Sequence, residues 1–81
     1  MPVDTEIKTQ TLEFLAEISG QNPAALAASR DLIGEGMLDS LTVVNTIMFF
    51  EQKFGRLIDI NDVIGKPLGI DQLLDLAFQP A

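Results

Sequence analysis

Ser40 is the best-placed oxygen nucleophile in the chain. It lies in Leu38-Asp39-Ser40-Leu41, where a glycine-bearing stretch meets a run with helical periodicity. A helix start presents unpaired N–H groups and the positive end of the dipole. A phosphate esterified to Ser40 would be stabilised there. Ser and Asp at such a junction are also ordinary capping residues, so the local sequence admits a plain cap as well. The other serines suit a phosphate less. Ser19 falls at a helix end, and Ser29 falls where no strong helix start follows. No His or Lys adjoins Ser40 in sequence, so a modification of its hydroxyl requires a separate enzyme.

The rest of the composition removes most catalytic chemistry. The chain has 81 residues, with no cysteine and no histidine. Disulfides, Cys or His zinc ligands and a Cys nucleophile are therefore excluded. A Ser-His-Asp triad lacks its base. Paired carboxylates remain formally available, but the acids are scattered at helical surface spacings, and so small a domain leaves little room for a cleft. The chain is expected not to be an enzyme.

The net charge is −7, with 12 acidic against 5 basic residues. Nucleic acid would be repelled. Basic partner surfaces and fast, salt-sensitive encounters are favoured, although solubility alone also accounts for acidity. No stretch approaches the roughly 20 apolar residues that span a bilayer. The N-terminus, MPVDTEIK, lacks the basic start and apolar centre of a signal peptide, so a cytoplasmic location is expected.

These residues need elements to position them. Length fits one domain over 1–81, near the lower limit for independent folding, and 47% hydrophobic residues can fill its core. From about Asp4 to Ser19, Ile7, Thr11, Phe14, Leu15 and Ile18 share one helical face, and Glu6, Gln10, Glu13 and Glu17 the opposite one. Asp4 or Thr5 can cap this helix, and Gly20 can close it. Asn22-Pro23 reads as a cap and first helical position, with a turn or two of helix after it. Arg30 to Leu38 reads as loop, with Leu26, Leu32 and Ile33 tucked under the bundle as a lid on the core.

A second long helix runs from Ser40 to about Phe54, with Asp39 as N-cap and Gly55 as its stop. Ile58 to Ile64 holds a short turn capped by Asp59 or Asn61. The last helix spans about Ile70 to Phe78, and Pro80 ends it. The expectation is an all-α bundle of three main helices plus one short helix, with a long first loop.

The second long helix has more apolar surface than a small bundle can cover. At 100° per residue, Val43, Ile47, Phe50 and Phe54 form a core stripe. Leu41, Val44 and Met48 form another, pointing well away, with Asn45, Glu51 and Gln52 on its flanks. That second stripe either faces partners or is covered by the first loop; an adaptable Met suits a surface that meets several partners. Phe49 lies outside both stripes, and packing against a loop is the expectation for it.

Taken together, LIGEGMLDSLTVVNTIMFFEQKFG resembles the heart of the acyl and peptidyl carrier protein family. The family's G-x-L-D-S-L core is matched by Gly36, Met37, Leu38, Asp39, Ser40 and Leu41, and its closing Phe-Gly by Phe54 and Gly55. The resemblance covers essentially the whole chain. A bare D-S-L triplet is a weak signal; at the start of the second long helix of an acidic domain of this length it is a strong one.

The resemblance implies an acyl-carrier-like bundle. It implies that a phosphopantetheinyl transferase, using coenzyme A and magnesium, attaches 4′-phosphopantetheine to Ser40. Asp39 would support recognition by that enzyme. The arm's thiol would hold cargo as a thioester. Met37, Leu41, Val44, Met48 and Glu51 would form the docking surface. Implied partners are the transferase, a loading ligase, adenylation enzyme or acyltransferase, and downstream acyl-using enzymes, with the chain acting as a monomer.

Two departures bear on the type of carrier. Fatty-acid carriers have acids along this helix, whereas here Thr42, Asn45, Gln52 and Lys53 stand there and only Glu51 remains. Met37-Leu38 precedes Asp39, where fatty-acid carriers favour a small residue. The pattern is closer to aminoacyl, peptidyl and D-alanyl carriers, and points to a specialised nonribosomal peptide, polyketide or aminoacyl-transfer pathway. The chain resembles a discrete carrier or an excised module. The competing expectation is an unmodified helical interaction module that binds partners through Leu41, Val44 and Met48.

Overall fold

The alternation of apolar periodicity with Gly and Pro punctuation yields five helices in the computed structural model, which describes residues 5–78. They are α1 (Thr5–Ser19), α2 (Pro23–Ala28), α3 (Ser40–Phe54), α4 (Ile60–Val63) and α5 (Ile70–Ala77). No strand occurs among the described residues. Three helices are substantial and two are short. The small all-α bundle expected from the sequence is present, with the alanine-rich piece counted as a helix in its own right.

Local chemistry sets the ends. Asn22 Oδ1 accepts the Ala24 N–H at 2.8 Å, and Pro23 opens α2. Asp59 Oδ1 accepts the Asn61 N–H at 2.9 Å and caps α4. Gly55 adopts φ 65°, a left-handed turn that glycine enters without a Cβ clash, and its N–H closes α3 onto the Glu51 carbonyl at 3.0 Å. The last helix stops at Ala77, one residue short of expectation, and the Phe78 ring lies buried beyond it. The expected roles of Asp4 and Pro80 lie outside the described residues.

The core gathers from every element. Leu15 of α1, Leu26 of α2, Phe50 of α3 and Leu74 of α5 are almost fully buried. Leu32 and Leu38 of the long loop join them, and Ile33 is half-buried, so this loop is a lid on the core. The loop is tied down by the backbone. Leu32 N–H donates to the Leu68 carbonyl at 2.8 Å, and Leu38 N–H to the Leu32 carbonyl at 2.9 Å. Gly69 makes this closure possible, because a Cβ there would fall 2.7 Å from the Ser29 carbonyl oxygen.

Thr46 is buried on α3 beside the expected stripe. Its hydroxyl donates to the Thr42 carbonyl at 2.7 Å, so it enters the core without an unpaired polar atom.

Phe49 departs from expectation. Its ring stacks on Phe14 of α1, with centroids 4.2 Å apart and planes at 12°, and meets Phe50 and Phe54 edge-on. It is a joint between two helices and does not pack on a loop. The Arg56 guanidinium sits over the Phe78 ring, 5.3 Å from its centre.

Candidate functional site

The loop that lids the core delivers the chain to the start of α3, and there the cap forms. Asp39 Oδ1 accepts the Thr42 N–H at 2.9 Å, and Thr42 Oγ1 accepts the Asp39 N–H at 2.8 Å. The two residues form a reciprocal capping box. The Thr42 hydroxyl also lies 2.9 Å from the Asp39 carbonyl and 3.0 Å from its carboxylate, to either of which it can donate its proton. The Thr42 N–H, and next the Thr42 hydroxyl, hold the Asp39 carboxyl below its ordinary pKa against a smaller opposing effect of burial.

That shift has a pH signature. The pKa is lower in the folded chain, so the charged cap's contribution is complete above the ordinary carboxylate pKa and is lost as pH falls through the folded value. Asp39→Asn keeps an acceptor but no charge. Melting curves at stepped pH should show wild type above Asp39→Asn near neutrality, with the gap closing on acidification below the usual carboxylate range. A gap that stays constant to the lowest accessible pH contradicts this assignment.

With Asp39 acting as the cap, Ser40 is the first residue of α3, exposed and structurally unused. Among the described residues no protein group hydrogen-bonds its hydroxyl. The Ser40 N–H has no intrahelical acceptor and opens at this end, whereas the Leu41 N–H faces the Asp39 carboxylate and adds to the lowering of its pKa. The two other serines are committed elsewhere. Ser19 Oγ donates to the Leu15 carbonyl, and Ser29 is buried, its Oγ accepting the Asp31 N–H at 3.3 Å. This answers the plain-cap alternative for Ser40, because the capping is done by its neighbour.

The second stripe of α3 is left bare. Leu41 is 69% exposed, Val44 39% and Met48 47%. The long loop does not cover them. Glu51 is exposed alongside, whereas Met37 is half-buried against the core and offers only part of its side chain. Leu57 and Ile64 are also exposed, in the segment around α4; no periodicity in so short a segment singles them out. The role of Thr42 as the second half of the cap was readable only as an Asp-x-x-Thr spacing, which lacks the Glu or Gln usual at that position.

An unactivated hydroxyl at the positive end of a helix and an adjacent apolar stripe can accept a phosphodiester and present a docking face. They cannot by themselves make or break a bond. Among the described residues no cluster of His, Cys, Asp or Glu could hold a metal ion, and no helix is long and apolar enough to cross a membrane. Comparison with protein-family models, curated proteins and solved structures finds no match.

Proposed function

We propose that the chain is a carrier that holds an acyl or aminoacyl group as a thioester on a 4′-phosphopantetheine arm at Ser40. The observation that carries this is Ser40 itself: its hydroxyl is exposed, unbonded and relieved of capping at the start of α3. The group fits the residues present, since the exposed Ser40 stands at the N-terminal, positive end of α3, where its own N–H can receive a phosphate oxygen. When bound, the arm supplies the thiol that this cysteine-free chain lacks.

A transferase would supply the missing activation. The Ser40 oxygen bonds to the β-phosphorus of coenzyme A as that phosphorus parts from the bridging oxygen. Adenosine 3′,5′-diphosphate leaves, and the serine proton passes to the transferase. The chain's own part is address and orientation. Tethering then raises the effective concentration of cargo at each docked enzyme.

Leu41, Val44 and Met48 form the docking face in this reading, with Glu51 at its side. Val44→Asp with Met48→Asp should leave the fold intact, because both side chains are exposed. It should weaken use of the charged carrier by a partner enzyme at least tenfold, read as kcat/KM against carrier concentration. Unchanged kcat/KM contradicts the assignment of this face.

The bare stripe equally suits an unmodified module that binds a partner groove directly. The two readings part on one experiment. The protein is incubated with coenzyme A, magnesium and a broad-specificity transferase and then weighed. One phosphopantetheinyl addition is the carrier's result. No addition with several transferases, together with partner binding that needs no modification, is the module's result.

A further inference from the structure

We propose that the arm's cargo rests in the surface groove between α1 and α3, and that this groove suits an acyl group with an apolar body and a carboxylate end. The inference rests on the carrier reading of Ser40.

Two spaces that border α3, the helix headed by Ser40, compete for a tethered acyl group. The first is the cavity enclosed by the long loop, α3 and α5, between Leu32, Leu38, Val43 and Leu73. It holds only about 10 Å³, room for at most one water. An acyl body cannot enter it without displacing buried side chains. The second is an open groove of about 580 Å³ on the other side of α3. The stacked rings of Phe14 and Phe49 contribute to its walls, with Ile18 and Met48 beside them. It is an open groove with both apolar and polar walls, which can lie against one face of an acyl body without enclosing it.

Tether length favours the groove. Met48 and Gln52 lie eight and twelve residues beyond Ser40 on one helix. At 1.5 Å rise per residue they stand about 12–18 Å along its axis. A pantetheine arm of about fourteen bonds reaches roughly 16 Å when extended like a peptide chain. The path is apolar, since Val44 lies one turn on from Ser40 and Met48 two. An arm laid along the exposed stripe therefore ends at the groove.

Charge selects the cargo. The groove's polar residues are Asn45, Gln52 and Lys53, and among the described residues Lys53 is the only ionised side chain lining it. Among the described residues Lys53 makes no salt bridge. A carboxylate at the far end of the acyl group would meet a cation and two amides. A protonated amine at the same place would meet a like charge.

The test compares two cargoes of one shape. The arm is installed from 4-carboxybenzoyl- or 4-(aminomethyl)benzoyl-coenzyme A, and backbone amide shifts are recorded against the uncharged-arm protein. The carboxy cargo should shift Ile18, Phe49 and Lys53. The aminomethyl cargo should shift them less, and Lys53→Glu should reverse the order. Shifts confined to the neighbours of Ser40, or falling on Val63 and Leu73 around the interior cavity, overturn the inference while the carrier reading stands. If intact mass shows that no arm attaches, the carrier reading fails first and this one with it.

Discussion

Ser40→Ala protein, given coenzyme A, magnesium and a transferase that modifies the wild type, should keep its unmodified mass entirely. Loss should be complete, because the chain's two other serines are unavailable: Ser29 is buried, and Ser19 is hydrogen-bonded to its own helix. The same variant should fold as well as wild type, within about 0.5 kcal/mol, since Asp39 and not Ser40 caps α3. The combination is diagnostic. A cap residue would lose stability and leave chemistry untouched. A modification site does the opposite. Intact-mass measurement beside a urea melt separates the two. Residual modification of Ser40→Ala, or a loss of stability of the size expected for a missing cap, contradicts the assignment.

Phe50→Ala should have the largest effect on the fold. The ring is fully buried, with centroids 5.7 Å from Phe49, 6.1 Å from Phe54 and 6.3 Å from Phe78. Removing a buried phenylalanine costs about 3–5 kcal/mol in transfer and cavity terms. A domain of 81 residues is held by roughly 4–12 kcal/mol in all at 0.05–0.15 kcal/mol per residue. The variant should therefore lose from about a quarter to all of that stability, read as a large fall in the urea midpoint followed by far-ultraviolet circular dichroism. Met48→Ala, two residues earlier on the exposed side, should move that midpoint little. If both variants shift it equally, the division of α3 into a core side and a bare side is wrong.

That division was legible in the sequence because α3 is long. Fifteen residues give four turns, enough for two apolar stripes to separate at 100° per residue. The caps were legible for the same local reason: Asp39, Asn22, Gly20 and Gly55 act on backbone groups within a few residues of themselves. What escaped was what distant segments do to one another. Phe49 belongs to neither stripe, and its partner Phe14 lies 35 residues away in the chain, so the stack could not be read from α3 alone. Thr46 belongs to neither apolar stripe, and its burial depends on a hydroxyl that donates to the carbonyl of the preceding turn. Met37 fell within the motif that suggested docking, yet the lid over the core draws it half inside.

The candidate site divides along the same line. Ser40 at a helix start and a second apolar stripe beside it follow from local spacing, whereas the bareness of that stripe depends on where the long loop packs. That Ser40 is spared from capping depends on the Asp39–Thr42 pair, a choice made between two adjacent capping residues. The groove between α1 and α3 depends on how the helices pack, and no pattern within one segment announces it.

A thiol titration tests the central claim most directly. This chain has no cysteine, so the protein as synthesised should give no signal with a thiol reagent. After treatment with a transferase, coenzyme A and magnesium, followed by removal of small molecules, one thiol per chain should appear, and digestion should place it on the peptide containing Ser40. A chain that still shows none, across several transferases active on other carriers, contradicts the account.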